Sequence, residues 1–227
     1  MARTRRRLGV PRGLRIGLGV DRLDYTKGLM KRLWALQDFF NRYPTYHGRF
    51  TFVQVAIPTR NNVEVYRQYR ELIRKTVMEI NARFEVPAKG KTRDGSRLKY
   101  IEGRVTPPTL VAYYRMADLT LVSSVYDGMN LVAKEYVASQ IDETGVLVVS
   151  HLAGAAEELS GALVVNPYDQ EEMADSIGRA LEMPENERRE RMRQMRLHLS
   201  THDIYHWAES CLRDVDIEVG LLQSVPA

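Results

Sequence analysis

The chain has 227 residues, 44% hydrophobic and 27% charged, with a formal net charge of +4. These are the proportions of an ordinary soluble globular protein, and 15 glycines and 9 prolines are too few for a collagen-like or disordered chain. No apolar run approaches the roughly eighteen residues of a membrane span, and one cysteine, Cys211, excludes an internal disulfide framework or a cysteine-based zinc site.

The chain opens on a basic stretch. Arg3, Arg5, Arg6, Arg7, Arg12 and Arg15 stand in residues 1–15 without a single acid, and subtracting them leaves the remainder slightly negative. A basic tail can bind nucleic acid or an anionic membrane. Residues 1–13 are nevertheless expected to be a disordered, solvated tail, with no nucleic-acid or membrane partner. They lack the apolar segment of a secretory signal, so a cytoplasmic location is expected.

From there the apolar pattern alternates between two periods. Leu14–Val20 reads as a short strand and Gly28–Arg42 as a helix, with Leu29, Leu33, Leu36 and Phe40 near helical spacing. Phe50–Ile57 is a β-branched and aromatic strand, and Val63–Phe84 a long amphipathic helix. Leu98–Ile101 reads as a strand, and Pro107–Met116 as a helix opened by proline. Leu119–Ser123 and Val146–Ser150 are buried-type strands flanking a helix over Leu131–Ser139. A short helix over Ala153–Leu159 and a last strand over Ala162–Val165 follow. Helices are predicted over 170–183, 185–199 and 203–217, with Ile204, Trp207 and Leu212 as a candidate exposed apolar face.

Near-continuous apolar strands separated by helices predict a Rossmann-like, doubly wound parallel sheet. In such a fold the ligand lies outside the carboxyl ends of the strands. The loops after Val20, Ile57, Ile101, Ser123 and Ser150 therefore face it. The polar stretch Val86–Arg97 follows a helix and is expected to be a solvated insertion on the far side.

Three ligand-facing loops carry candidate chemistry. After the first strand, Arg22 and Lys27 stand five residues apart before a helix. A guanidinium fork and an ammonium can grip separate oxygens of a diphosphate. Alternatively, they pair with Asp21 and Asp24. Gly17 and Gly19 do not complete a dinucleotide fingerprint, because the third glycine position is Arg22. After the fourth strand, Asp127-Gly128-Met129-Asn130 turns into the helix beginning at Leu131. The free N–H groups near Gly128–Val132 make a natural anion site there. Asp127 can accept from sugar hydroxyls, and Glu135, on the face of Leu131 and Val132, from a ribose diol. Alternatively, Asp127 is a turn residue and Glu135 a salt-bridge partner, although a charge inside the apolar run Leu131–Val137 weakens that reading, since an unpaired buried carboxylate is costly. After the second strand, Arg60 adds a further cation. His198, His202 and His206 are spaced i, i+4, i+8 but straddle a predicted helix break at Ser200–Thr201, and no metal site is expected.

Gly19–Leu29 (GVDRLDYTKGL), Gln54–Arg60 (QVAIPTR), Asp127–Ala138 (DGMNLVAKEYVA), Gly154–Ala156, Asn166–Tyr168 and His202–Trp207 (HDIYHW) resemble the trehalose-6-phosphate synthase family. The resemblance runs from about Leu14 to Leu212. It implies a retaining GT-B glycosyltransferase that moves glucose from a nucleotide sugar, usually UDP-glucose, to glucose 6-phosphate. It covers only the C-terminal, donor-binding half of such enzymes, residues 14–227 here. The acceptor half has no counterpart, so the chain is expected to be inactive alone, with a separate N-terminal half or a second copy as candidate partner. The resemblance assigns Arg22 and Lys27 to the donor diphosphate. Asp127 and the backbone of Gly128, Met129 and Asn130 fall to the glucose, the N–H groups of Leu131 and Val132 to the phosphates, Glu135 to the ribose, and Arg60 to the acceptor phosphate. The two cations take the place of a metal, so no metal or other cofactor is expected. Glu102-Gly103-Arg104-Val105 diverges where family members contact the base, which leaves the donor base open. A glucosylglycerol-phosphate synthase half and a non-catalytic nucleotide-sugar-binding or regulatory module are the alternatives.

Overall fold

The computed structural model describes residues 2–84 and 97–223. Six parallel strands form the central sheet: β1 (Arg15–Arg22), β2 (Phe50–Ile57), β3 (Leu98–Glu102), β4 (Leu119–Val122), β5 (Val146–Ser150) and β6 (Leu163–Val165). Their spatial order is β3-β2-β1-β4-β5-β6, so the winding reverses between β1 and β4. This is the doubly wound arrangement expected from the apolar pattern, and β1/β4 is its topological switch point.

The helices are α1 (Ala2–Arg7), α2 (Leu29–Arg42), α3 (Glu64–Arg83), α4 (Pro107–Met116), α5 (Leu131–Ser139), α6 (Ala155–Glu158), α7 (Gln170–Glu182), α8 (Glu185–Thr201) and α9 (Ile204–Gln223). Alternation along the strands divides the core in two. Phe50 and Phe52 of β2 pack with Leu33, Leu36 and Phe39 of α2 and Ile73 of α3. Val53 and Val55, pointing the other way, pack with Ile16, Leu18 and Val20 of β1, Tyr114 of α4 and Tyr136 of α5. Strands buried on both faces have no polar side to show, which is why they read as apolar runs.

The glycines of β1 belong to this packing. Gly17 and Gly19 face α2. A Cβ on Gly17 would press into the rings of Phe50 and Phe52, and one on Gly19 would lie 2.5 Å from a guanidinium nitrogen of Arg32. They serve close packing, in agreement with the failed dinucleotide pattern.

Four expectations need correction. First, β1 runs to Arg22 instead of ending at Val20, so Asp21 and Arg22 sit on the strand end itself. Second, the basic N-terminus is ordered: α1 is helical, Arg5 donates to the carbonyls of Pro11 and Leu14, Leu8 packs against the second core, and Val10 is buried there. The charge pattern hid two apolar anchors, Leu8 and Val10. Val10→Ala should therefore cost about 1–2 kcal/mol of stability, measurable by urea unfolding; a disordered tail would show no change. Third, Arg97 is buried and donates to the Phe84 carbonyl, so it is no part of a solvated insertion; the rest of that stretch, residues 86–96, lies outside the described residues. Fourth, α8 continues through Thr201, so the break falls at His202–Asp203. The three histidine rings still lie in series: His198 and His202 stack with centroids 4.0 Å apart, and His206 meets His202 edge-on at 4.6 Å.

Ile204, Tyr205, Trp207 and Leu212 of α9 are exposed. No helix among the described residues is long and apolar enough to cross a membrane.

Candidate functional site

The segments after β1 and β4 meet at the switch point. After β1, residues Tyr25–Lys27 form one turn of 3-10 helix, capped by Asp24, whose carboxylate accepts from the Thr26 N–H at 3.0 Å. Gly28 ends that turn with φ 66° and begins α2. The Thr26 carbonyl accepts from the Val125 N–H at 2.8 Å, and Ser123 Oγ donates to the Gly28 carbonyl at 3.1 Å. The two segments are thus joined by backbone, not merely adjacent.

The second segment is clamped from its other side. The Asp127 N–H donates to the Leu152 carbonyl, the Gly154 N–H to the Asp127 carbonyl and the Ala155 N–H to the Met129 carbonyl. Gly154 must be glycine, because a Cβ would overlap the Gly128 carbonyl oxygen. Asn130 adopts φ 70° and caps α5, its side-chain oxygen accepting from the Ala133 N–H at 3.0 Å. Asparagine tolerates this left-handed conformation better than most residues.

Between the two segments lies a cleft of about 390 Å³, lined by Val20, Asp21, Arg22, Lys27, Ile57, Asp127, Met129, Asn130, Leu131 and Val132. Most of the sequence-predicted site thus gathers here: both cations, Asp127 and the start of α5. Lys27 Nζ lies 2.6 Å from Asp127 Oδ2, and the Asn130 side-chain amide donates to the same oxygen at 2.8 Å. Burial alone would raise the Asp127 pKa, but hydrogen bonds from Lys27, Asn130 and Ser124 outweigh it and hold the carboxyl below its ordinary range. Asp127 is therefore a carboxylate at neutral pH. Arg22 is exposed at the cleft edge, and its side chain makes no hydrogen bond or ion pair with any described residue. The pairing of Lys27 with Asp127 across the cleft replaces the sequence alternative of Asp21 and Asp24.

Three predicted residues fall outside the cleft lining. Gly128 contributes to the turn beneath it. Glu135 is exposed instead of enclosed, and it accepts from the Tyr114 hydroxyl at 2.7 Å. Burial, and then that bond, push the Tyr114 pKa up. Arg60 stands at the rim, with φ 48°, its guanidinium 5.0 Å from the Tyr66 ring centroid and 3.9 Å from Asp24. Burial alone would raise the Asp24 pKa, but hydrogen bonds from Thr26 and the charges of Arg60 and Arg22 leave it lowered. Sequence reasoning missed Asp21 as a wall of the cleft. It also missed Arg32, whose spacing from Leu29 and Leu36 marks it as a member of the buried face of α2.

A larger open groove runs along β6 and α7. Three of its acids are already engaged: Asp169 and Glu172 accept from backbone N–H groups, and Asp175 takes Arg42 and Tyr43. Among the described residues, no group of three or more histidine, cysteine or acidic side chains is placed to hold a metal ion.

Comparison with known proteins gives a consistent picture. The family model described as Glycosyltransferase family 20 matches residues 9–217. A UDP-forming alpha,alpha-trehalose-phosphate synthase A of Dictyostelium discoideum is 36% identical over 204 residues, 90% of this chain and 27% of that protein. Among solved structures, an alpha,alpha-trehalose-phosphate synthase of Burkholderia xenovorans in complex with glucose-6-phosphate superposes with TM-score 0.85 at 37% identity, covering 94% of this chain and 46% of that one. An E. coli structure reported as trehalose-6-phosphate bound with UDP-2-fluoro glucose gives TM-score 0.86 at 36% identity, over 94% and 46%. The chain spans about half or less of the length of these relatives.

Proposed function

The chain belongs to glycosyltransferase family 20, and from that premise we propose that it is the donor-binding half of a trehalose-6-phosphate synthase. In this reading it takes UDP-glucose, and glucose 6-phosphate is the acceptor. The observation that carries the proposal is the convergence of Arg22, Lys27, Asp127 and the start of α5 on one cleft at the switch point.

The chemistry follows from charge. As the bond between glucose C1 and the phosphate oxygen breaks, negative charge builds on the departing diphosphate. Arg22, Lys27 and the N–H groups of Leu131 and Val132 receive that charge. These donors supply the positive charge, and the proposal calls for no metal or other cofactor. Lys27 turns from Asp127 toward the phosphates, and the Asp127 carboxylate accepts from the hydroxyls of the transferred glucose. The backbone of Gly128, Met129 and Asn130 borders the same sugar. Glu135, one turn into α5 and exposed, accepts from the ribose diol in this reading. Arg60, on the rim beside Tyr66, receives the phosphate of the acceptor. Transfer then requires an acceptor-binding half supplied by other residues than these, and the chain alone is inactive.

Two charge-assisted contacts of about 1.5–3 kcal/mol each and about 1 kcal/mol from the helix start give about 4–7 kcal/mol. That corresponds to a dissociation constant of about 10 µM to 1 mM. Calorimetric titration of the full chain with UDP should return a value in that range. No heat at millimolar UDP, with no competition against a fluorescent UDP analogue, would overturn the reading.

A further inference from the structure

The inner wall of the cleft carries an ion pair to which the roles above assign nothing. Arg32 of α2 is fully enclosed; its Nη1 donates to Asp21 Oδ2 at 2.5 Å and to Gln54 Oε1 at 2.8 Å. Its Nε and Nη2 have no hydrogen-bond partner among the described residues. Room for the guanidinium exists because residue 19 has no Cβ. Asp21, its partner, lines the cleft and directly precedes Arg22 in β1.

A buried guanidinium–carboxylate pair with two idle donors is a poor source of net stability, since desolvation offsets the attraction. Its consequence for the cleft is larger. Without Arg32, the cations Arg22 and Lys27 face the anions Asp21 and Asp127, a neutral set. With Arg32, the set has a net positive charge, as a diphosphate requires. We propose that Arg32 is a positioning residue for the donor diphosphate, acting by neutralising and fixing Asp21 behind Arg22 and Lys27. The proposal rests on the diphosphate reading of the cleft.

Burial already holds the Asp21 pKa above the ordinary carboxylate range despite Arg32; removal of Arg32 raises it further, so the stranded carboxyl takes up a proton as pH falls and ionises as pH rises. The groups that face it are Arg32 of α2, Gln54 of β2, Lys27, Asp127, Tyr69 of α3 and Tyr114 of α4. With the Tyr69 pKa pushed up to about 12 by burial and that of Tyr114 raised further, neither phenol ionises below about pH 9. The carboxyl is then the group whose ionisation separates Arg32→Met from a variant that also lacks Asp21.

The test is calorimetric binding of inorganic pyrophosphate to the full chain, with circular dichroism melts confirming the fold of each variant. At about pH 9, Arg32→Met should bind about tenfold more weakly than wild type, and the deficit should shrink toward about pH 6. The double variant Asp21→Asn/Arg32→Met should return to within about threefold of wild type at both pH values. An Arg32→Met variant that binds like wild type throughout overturns the proposal. So does a double variant as weak as Arg32→Met, because a merely structural role is not recovered by removing a charge. If Arg32→Met does not fold, Asp21→Asn against the double variant decides: the former keeps the extra cation and should bind about tenfold more tightly, and equality overturns the proposal. Parallel titration with UDP separates the two claims. Wild type that binds pyrophosphate but not UDP removes the nucleotide reading and leaves the Arg32 comparison intact; wild type that binds neither overturns the proposal as well.

Discussion

Gly28→Ala is expected to lower stability by about 2–5 kcal/mol, the sum of two separate penalties. Gly28 sits at φ 66°, ψ 26°, where an L-residue pays about 1–2 kcal/mol. Its Cβ would also overlap the Ser123 carbonyl oxygen, a backbone atom at the end of β4 that cannot swing away as a side chain would. Forcing that contact apart adds about 1–3 kcal/mol. Gly48 supplies the control. It has φ 77° but nothing within 4 Å of where a Cβ would stand, so Gly48→Ala should show the conformational penalty alone. Urea unfolding of both variants measures the difference, and equal losses would mean that the contact between the two loops contributes nothing. Because Gly28 immediately follows Lys27, the shift should also pull Lys27 away from Asp127 and weaken UDP binding in whatever fraction stays folded.

That junction shows what sequence can and cannot convey. The strands were readable because burial on both faces leaves an uninterrupted apolar run, and the strand-end rule then put the segments after β1 and β4 on one side of the sheet, where they meet. The meeting of Lys27 with Asp127 was not readable, since it joins residues 100 apart through the winding of the sheet. The exposure of Glu135 was hidden for a related reason. Helical spacing says which residues share a face, but only the packed neighbours decide that this face is open and that Tyr114 supplies the hydrogen bond. Arg32 carried a usable signal: it stands three residues after Leu29 and four before Leu36, among side chains that are buried. A charge at such a position needs a buried partner. The alternation of β1 puts Gly17, Gly19 and Asp21 on the face toward α2, which would have named that partner. The helix at the N-terminus was obscured because six arginines dominate the composition, while Leu8 and Val10 are the apolar anchors that pack the segment on the second core.

The cation set yields the second large effect. Arg22→Ala and Lys27→Ala should each weaken UDP binding by about 10- to 150-fold, the equivalent of about 1.5–3 kcal/mol for a lost charge-assisted hydrogen bond. Arg60→Ala should change it by no more than about twofold, because its guanidinium lies over Tyr66 at the rim, outside the cleft lining. The two losses should differ in character. The Arg22 side chain is exposed and makes no ion pair with a described residue, so its contribution should fall as salt is raised. The side chains of Lys27 and Asp127 are only 16% and 13% exposed, so Lys27→Ala removes a donor and also leaves the Asp127 carboxylate facing the phosphates. Lys27→Ala should therefore be the weaker binder of the two, and its deficit the less sensitive to salt. Calorimetry at low and high ionic strength reads both features at once. Equal losses at Arg22, Lys27 and Arg60 would show that the three act only through the general field of the surface, and the separation of diphosphate from acceptor roles would fall.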